Sequence, residues 1–326
     1  MHNDKGAAAM KAYRSHQTSA TTPSFIGTGI GSISRRVHIA RQPLISPRPV
    51  HRHAQRSFLT MSQKMLHAVY RVGDLEATSK FLEALGMKRL RYRDVPSEKY
   101  SNAFFGYGPE QKGEYFSLEL TYNYGVDSYD IGTGFGHFGV AVEDASAVVE
   151  RVREAGFKVC REVGPVKGGS TVIAFVQDPT GYKFEVIQRK QRDPMCQVML
   201  RVRDLDATIK FYEAMGMRLL RKRENEQYNY TLAFMGFAEE SDSTVLELTY
   251  NHGENEYTSG DGYAQIAVST PDVYEAAKRF EENGIEVARK PGPVPGIGTK
   301  ITAVRDPDGW KTVLVDEQDF EKEFDE

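Results

Sequence analysis

The chain is internally duplicated. Ser117–Asn123 reads SLELTYN and Val245–Asn251 reads VLELTYN. Flanking segments repeat in the same order. His67-Ala-Val-Tyr-Arg71 is echoed by Gln197-Val-Met-Leu-Arg201, and 81–87 (FLEALGM) by 211–217 (FYEAMGM). Asp178-Pro-Thr-Gly-Tyr-Lys183 is echoed by Asp306-Pro-Asp-Gly-Trp-Lys311. His67 to Gln197 is 130 residues and Glu119 to Glu247 is 128 residues, so the second copy is two residues shorter in between. Two copies are too few for a solenoid, which leaves a duplicated domain.

Each half reads as strands and helices in a fixed order. Residues 67–72 form a strand, and Asp74 caps a helix carrying Leu75, Phe81, Leu82 and Leu85 at helical spacing until Gly86 stops it. Strands follow near 88–93, 103–107 and 116–122. The order then recurs in the same half: a strand at 137–142, a helix capped by Asp144 and stopped at Gly156, and strands at 157–161, 172–176 and 182–188. The expected fold class is therefore α+β, with four βαβββ modules in two tandem domains, 61–190 and 191–326. A linker runs near 189–194. One module has an open sheet edge, so modules must pair into concave sheets.

Residues 1–60 differ in composition. Asp4 is their only acid, and Lys11, Arg14, Arg35, Arg36, Arg41, Arg48, Arg52 and Arg56 stand among many Ser, Thr and Ala. That is the composition of an organelle transit peptide. A plastid is the expected destination, with a mitochondrion second and a cytosolic form starting at Met61 as a further reading. The net charge of −3 gives no reason to expect a nucleic-acid partner. No apolar run approaches the roughly 18 residues of a membrane span, so no membrane partner is expected. The two cysteines, Cys160 and Cys196, make no metal or disulfide framework, and both are expected to be buried in a reducing compartment.

Period two places Glu, Thr and Asn of each LELTYN strand on one face. His67 and His137 open the first strands of the first two modules, and Glu119 and Glu185 lie on their last strands. The matching slots of the second half hold Gln197, Glu247, Gln265 and Val313. Imidazole and carboxylate together suit Zn, Ni, Co, Mn or Fe(II).

These features carry a resemblance. His67xxxArg71, LELTYN twice, GFGHFGVAV around His137 and FVQDPTGYKFEVI through Glu185 resemble glyoxalase I (lactoylglutathione lyase) of the two-domain fused plant and algal type, in the vicinal-oxygen-chelate superfamily. The resemblance covers roughly residues 65–316. It implies isomerisation of the methylglyoxal–glutathione hemithioacetal to S-D-lactoylglutathione with one divalent metal, Ni or Zn, with Co and Mn as further candidates. Glutathione is then the co-substrate. It implies that Arg71, Asn123, Arg201 and Asn251 hold glutathione, and that the chain is a monomer of pseudo-dimeric domains. By inherited pairing the metal set is Gln197, Glu247, His137 and Glu185, with Glu185 and Glu247 catalytic. Pairing within the first half instead gives His67, Glu119, His137 and Glu185. The remaining crossed set, His67, Glu119 and Gln265 with Val313, lacks a base but retains donors for a metal or glutathione. An extradiol dioxygenase or another metalloenzyme of the same fold, and a non-catalytic glutathione- or metal-binding protein, are the alternative functions.

Overall fold

Four aspartates in extended backbone start the four main helices. Asp74, Asp144, Asp204 and Asp272 accept hydrogen bonds from Ala77 N (2.9 Å), Ala147 N (3.0 Å), Ala207 N (2.9 Å) and Tyr274 N (2.7 Å). At the other ends Gly86 and Gly216 turn the chain with φ of 96° and 109°, which a side chain would resist. The computed structural model describes residues 63–167 and 169–324; the segment 1–60 lies outside the described residues.

The first module is β1 (Met65–Arg71), α1 (Leu75–Ala84), β2 (Lys88–Val95), β3 (Tyr100–Gly106) and β4 (Ser117–Asn123). The second is β5 (Phe135–Val142), α2 (Ala145–Glu154), β6 (Lys158–Pro165), β7 (Val172–Gln177) and β8 (Lys183–Gln188). The third is β9 (Met195–Arg201), α3 (Leu205–Met215), β10 (Arg218–Asn225), β11 (Tyr230–Gly236) and β12 (Val245–Asn251). The fourth is β13 (Tyr263–Thr270), α4 (Val273–Glu282), β14 (Val287–Pro293), β15 (Lys300–Arg305) and β16 (Lys311–Asp316). A further helix, α5 (Glu317–Lys322), follows β16 without a break. Sequence patterning did not predict it.

Modules pair across the halves. One eight-stranded sheet runs β14-β15-β16-β13-β1-β4-β3-β2 and joins the first and fourth modules. The other runs β10-β11-β12-β9-β5-β8-β7-β6 and joins the second and third. The seams are antiparallel, β1 against β13 and β5 against β9. Local geometry explains the exchange. Residues 189–194 need only carry the chain from β8 past β5 to β9, about 10 Å across the sheet. The longer segments 124–134 and 252–262 each leave one sheet for the other, and they run against each other. Thr133 N donates to Thr258 O at 3.0 Å, and Asp130 N to Asp261 Oδ1 at 2.8 Å. A Cβ on Gly132 would lie 2.3 Å from Thr258 O, so this close passage requires glycine.

The two sheets share one apolar core. Leu118 and Leu120 of β4 are fully buried in it, together with Phe138 and Val140 of β5 and helix residues such as Phe81, Val149 and Phe280. The alternate residues Glu119, Thr121 and Asn123 line a cavity on the opposite face of β4. Each sheet thus offers a polar concave face turned away from the common core. Cys196 is buried, but Cys160 is exposed on edge-side strand β6, contrary to the expectation that both would be covered.

Candidate metal centre and substrate cleft

The four middle strands of the second sheet, β12, β9, β5 and β8, each deliver one polar side chain to a common point. They are Glu247, Gln197, His137 and Glu185. His137 Nε2 lies 3.1 Å from Glu185 Oε2 and 3.9 Å from Glu247 Oε2. Gln197 Nε2 donates to Glu247 Oε2 at 2.6 Å and to Glu185 Oε2 at 3.2 Å, and lies 3.3 Å from His137 Nε2. One donor atom each from His137, Glu185 and Glu247 fall within 4.8 Å of one another, the spacing a single ion requires.

Glycine makes room for the cluster. Gly139 faces Gln197 across the β5–β9 seam, and a Cβ there would sit 2.1 Å from Gln197 Cγ. Phe175 packs edge-on against His137 at 5.4 Å. The sequence patterning singled out neither residue, because both act through the neighbouring strand.

Electrostatics favour a cation. Burial pushes the Glu247 carboxyl up to about 7, against the opposing pull of His137. For His137, burial presses the pKa down, but the Glu185 hydrogen bond and the charges of Glu185 and Glu247 outweigh it and leave the imidazole above its ordinary value. Two carboxylates in a dry site repel unless a proton, an imidazolium or a metal ion lies between them. A half-turn of the Gln197 amide exchanges its nitrogen for Oε1, a fourth oxygen or nitrogen donor. The residues fit a divalent ion.

Beside the cluster lies a polar cleft. Arg201, Asn251, Lys183 and Tyr257 line it. Arg201 sits four residues beyond Gln197, and Asn251 four beyond Glu247, so both are roughly 13 Å further along the same face. Arg201 is held by Thr133 O (2.8 Å) and Phe135 O (2.9 Å), and Asn251 donates to the Tyr257 hydroxyl at 2.9 Å.

His67 and Glu119 are not part of this cluster. They sit in the first sheet, 3.3 Å apart, on β1 and β4, with Gln265 and Val313 on the neighbouring strands β13 and β16. The set His67, Glu119, His137 and Glu185 is therefore not assembled, because the β5–β9 seam takes His137 and Glu185 to the other sheet. Burial, aided by Arg91, presses His67 down to about 3, and burial raises Glu119 to about 7 against Arg91 and Arg93. Arg71 and Asn123 line this second concavity.

Comparison with known proteins agrees with this architecture. Residues 64–186 and 195–314 each match the family described as Glyoxalase/Bleomycin resistance protein/Dioxygenase superfamily. A probable lactoylglutathione lyase, chloroplastic, of Arabidopsis thaliana is 61% identical over 265 residues, covering 80% of this chain and 75% of that one. A lactoylglutathione lyase of Oryza sativa subsp. japonica is 59% identical over 270 residues, covering 80% and 92%. The crystal structure of glyoxalase I from Zea mays superposes with a TM-score of 0.77 at 59% identity, covering 80% of this chain and 95% of that one. With two family matches in tandem and this identity across most of each relative, the chain belongs to the Glyoxalase/Bleomycin resistance protein/Dioxygenase superfamily, among its lactoylglutathione lyases (glyoxalase I).

Proposed function

We propose that this chain isomerises the hemithioacetal of methylglyoxal and glutathione to S-D-lactoylglutathione at the β12–β9–β5–β8 face, and so detoxifies methylglyoxal. The observation that carries the reading is the convergence of His137, Glu185, Glu247 and Gln197 in a chain about 60% identical to proteins of that name. Those four residues would hold one divalent ion, Ni or Zn foremost, which would supply Lewis-acid polarisation of the substrate.

The chain's own residues do the rest. Glu185 takes the proton from the carbon bearing sulfur and returns it to the neighbouring carbon, while the hydroxyl proton passes between the two oxygens. The ketone becomes an alcohol and the hemithioacetal carbon becomes a thioester, with no net gain or loss of atoms. Glu185 Oε2 is steadied by His137 and Gln197, which suits a group that must stay aimed at one carbon. Arg201 and Asn251 hold the carboxylates and amides of glutathione in the polar cleft beside the cluster. Glu247 and Gln197 are both buried beside Glu185.

The test is an absorbance assay for the thioester on chelator-stripped protein. Thioester formation restored by Ni or Zn is expected; no thioester with Ni, Zn, Co or Mn contradicts the reading. We also propose that residues 1–60 direct plastid import, supported by their acid-poor, Arg-rich composition and by a relative named chloroplastic. A reporter fused to them should accumulate in plastids, and retention in the cytosol would contradict this.

A further inference from the structure

The second concavity repeats several polar and cation–π contacts of the first. Arg71 matches Arg201, Lys311 matches Lys183, and Asn123 donates to the Tyr129 hydroxyl at 2.8 Å as Asn251 does to Tyr257. Arg91 lies over the Phe104 ring at 3.8 Å and donates to Glu110 at 2.7 Å. Its counterpart Arg221 lies over Phe234 at 3.9 Å and donates to Glu240 at 2.8 Å. What the second concavity lacks is a reacting carboxylate, since Val313 stands in the slot of Glu185.

It also holds His67 and Gln265 in the slots of Gln197 and His137, and it is covered differently. The C-terminal helix α5 lies over it. Phe320 is buried there and stacks on the His67 ring at 6.2 Å and 29°. Beyond it the Glu323 carboxylate accepts from Arg91 Nη1 (3.0 Å), Arg93 Nη2 (3.1 Å) and Thr299 Oγ1 (2.6 Å). In the other concavity β8 is followed by the linker 189–194 rather than a helix, and among the described residues Arg223, the counterpart of Arg93, forms no ion pair. Glu323 is thus a carboxylate of the chain itself, seated on a pair of arginines inside a cleft otherwise built like the substrate cleft. His67 Nδ1 and Asn102 Oδ1 are buried in the same concavity without a hydrogen-bond partner among the described residues.

We propose that the second concavity is a non-catalytic site for the glutathione moiety, and that α5 and the residue after it occupy it through Phe320 and Glu323, so that ligand entry and release of the helix are coupled. The ligand class rests on the function proposed for the first site. An inert thioether of the tripeptide, S-methylglutathione, can fill both sites without reacting.

The test is calorimetric titration of the metal-loaded full chain with S-methylglutathione, on the parent, Glu323→Gln and Phe320→Ala, each checked for melting. The parent should bind one equivalent tightly and a second at least about tenfold more weakly. Either substitution should tighten the second equivalent at least about tenfold, and Glu323→Gln combined with Arg93→Ala should lose that gain. Unchanged binding in both single variants overturns the proposal, as does a parent with two equally tight equivalents, or a gain that survives loss of Arg93. Failure of the underlying function would appear separately, as a parent that forms no thioester.

Discussion

Glu185 and Glu247 present similar carboxylates to the same point from different strands, and the roles proposed for them differ. Glu185 is the less buried of the two and is bonded to His137 and Gln197. Removing its charge while keeping its shape, Glu185→Gln, should lower turnover by about 10²–10⁴-fold, the usual scale for a positioned base, measured by steady-state thioester formation. Glu247 is deeply buried, and its effect should appear in stability as well. Its folded pKa of about 7 lies above the ordinary carboxyl value of 4.5, so the folded state holds more protons than the unfolded state between those values. Its contribution is therefore present below about 4.5 and is lost as pH rises through 7. Metal-free Glu247→Gln should melt above the metal-free parent at pH 8, with the gap closing toward pH 4.5. A gap that does not change with pH would count against this ionisation.

At the level of elements, the modules were legible because their signals are local. Asp74 and Asp144 announced α1 and α2, Gly86 and Gly156 ended them, and alternation in LELTYN gave the inward face of β4 and β12. Strand ends drifted by a few residues; β6 runs on to Pro165, where antiparallel pairing with β7 continues through irregular register. Which modules pair is decided by contacts between residues far apart in sequence, such as Gly139 with Gln197, and no periodicity records that. The residues of the cluster were legible as slots; their grouping became so only through resemblance. The helix α5 was missed because its sequence, EQDFEK, offers a single large apolar residue, and only the cleft beneath explains Phe320. The caps make a separable prediction. Asp204→Ala removes the acceptor for Ala207 N on the side of the sheet away from the site. It should cost about 1 kcal/mol in urea denaturation, with turnover unchanged. A loss of turnover in the folded variant would mean that α3 bears on the site.

At the scale of the whole molecule, fusion lets one chain complete both sheets. Each seam that would otherwise join two subunits, β1–β13 and β5–β9, is internal. The full chain should therefore sediment as an active species near 36.7 kDa. Activity confined to a species of twice that mass, and lost on dilution, would contradict this. The duplication also leaves the halves unequal: one concavity carries the assembled His137, Glu185, Glu247 and Gln197, and the other carries His67 and Glu119 beneath α5. The crossed concavity is the one proposed to do the chemistry. Glu247→Gln and Glu119→Gln test it most directly, since each alters one concavity and both keep side-chain volume. With turnover and bound metal measured on matched, folded samples, Glu247→Gln should lose most of both and Glu119→Gln should retain most of both. An inactive Glu119→Gln beside a fully active Glu247→Gln would contradict the account.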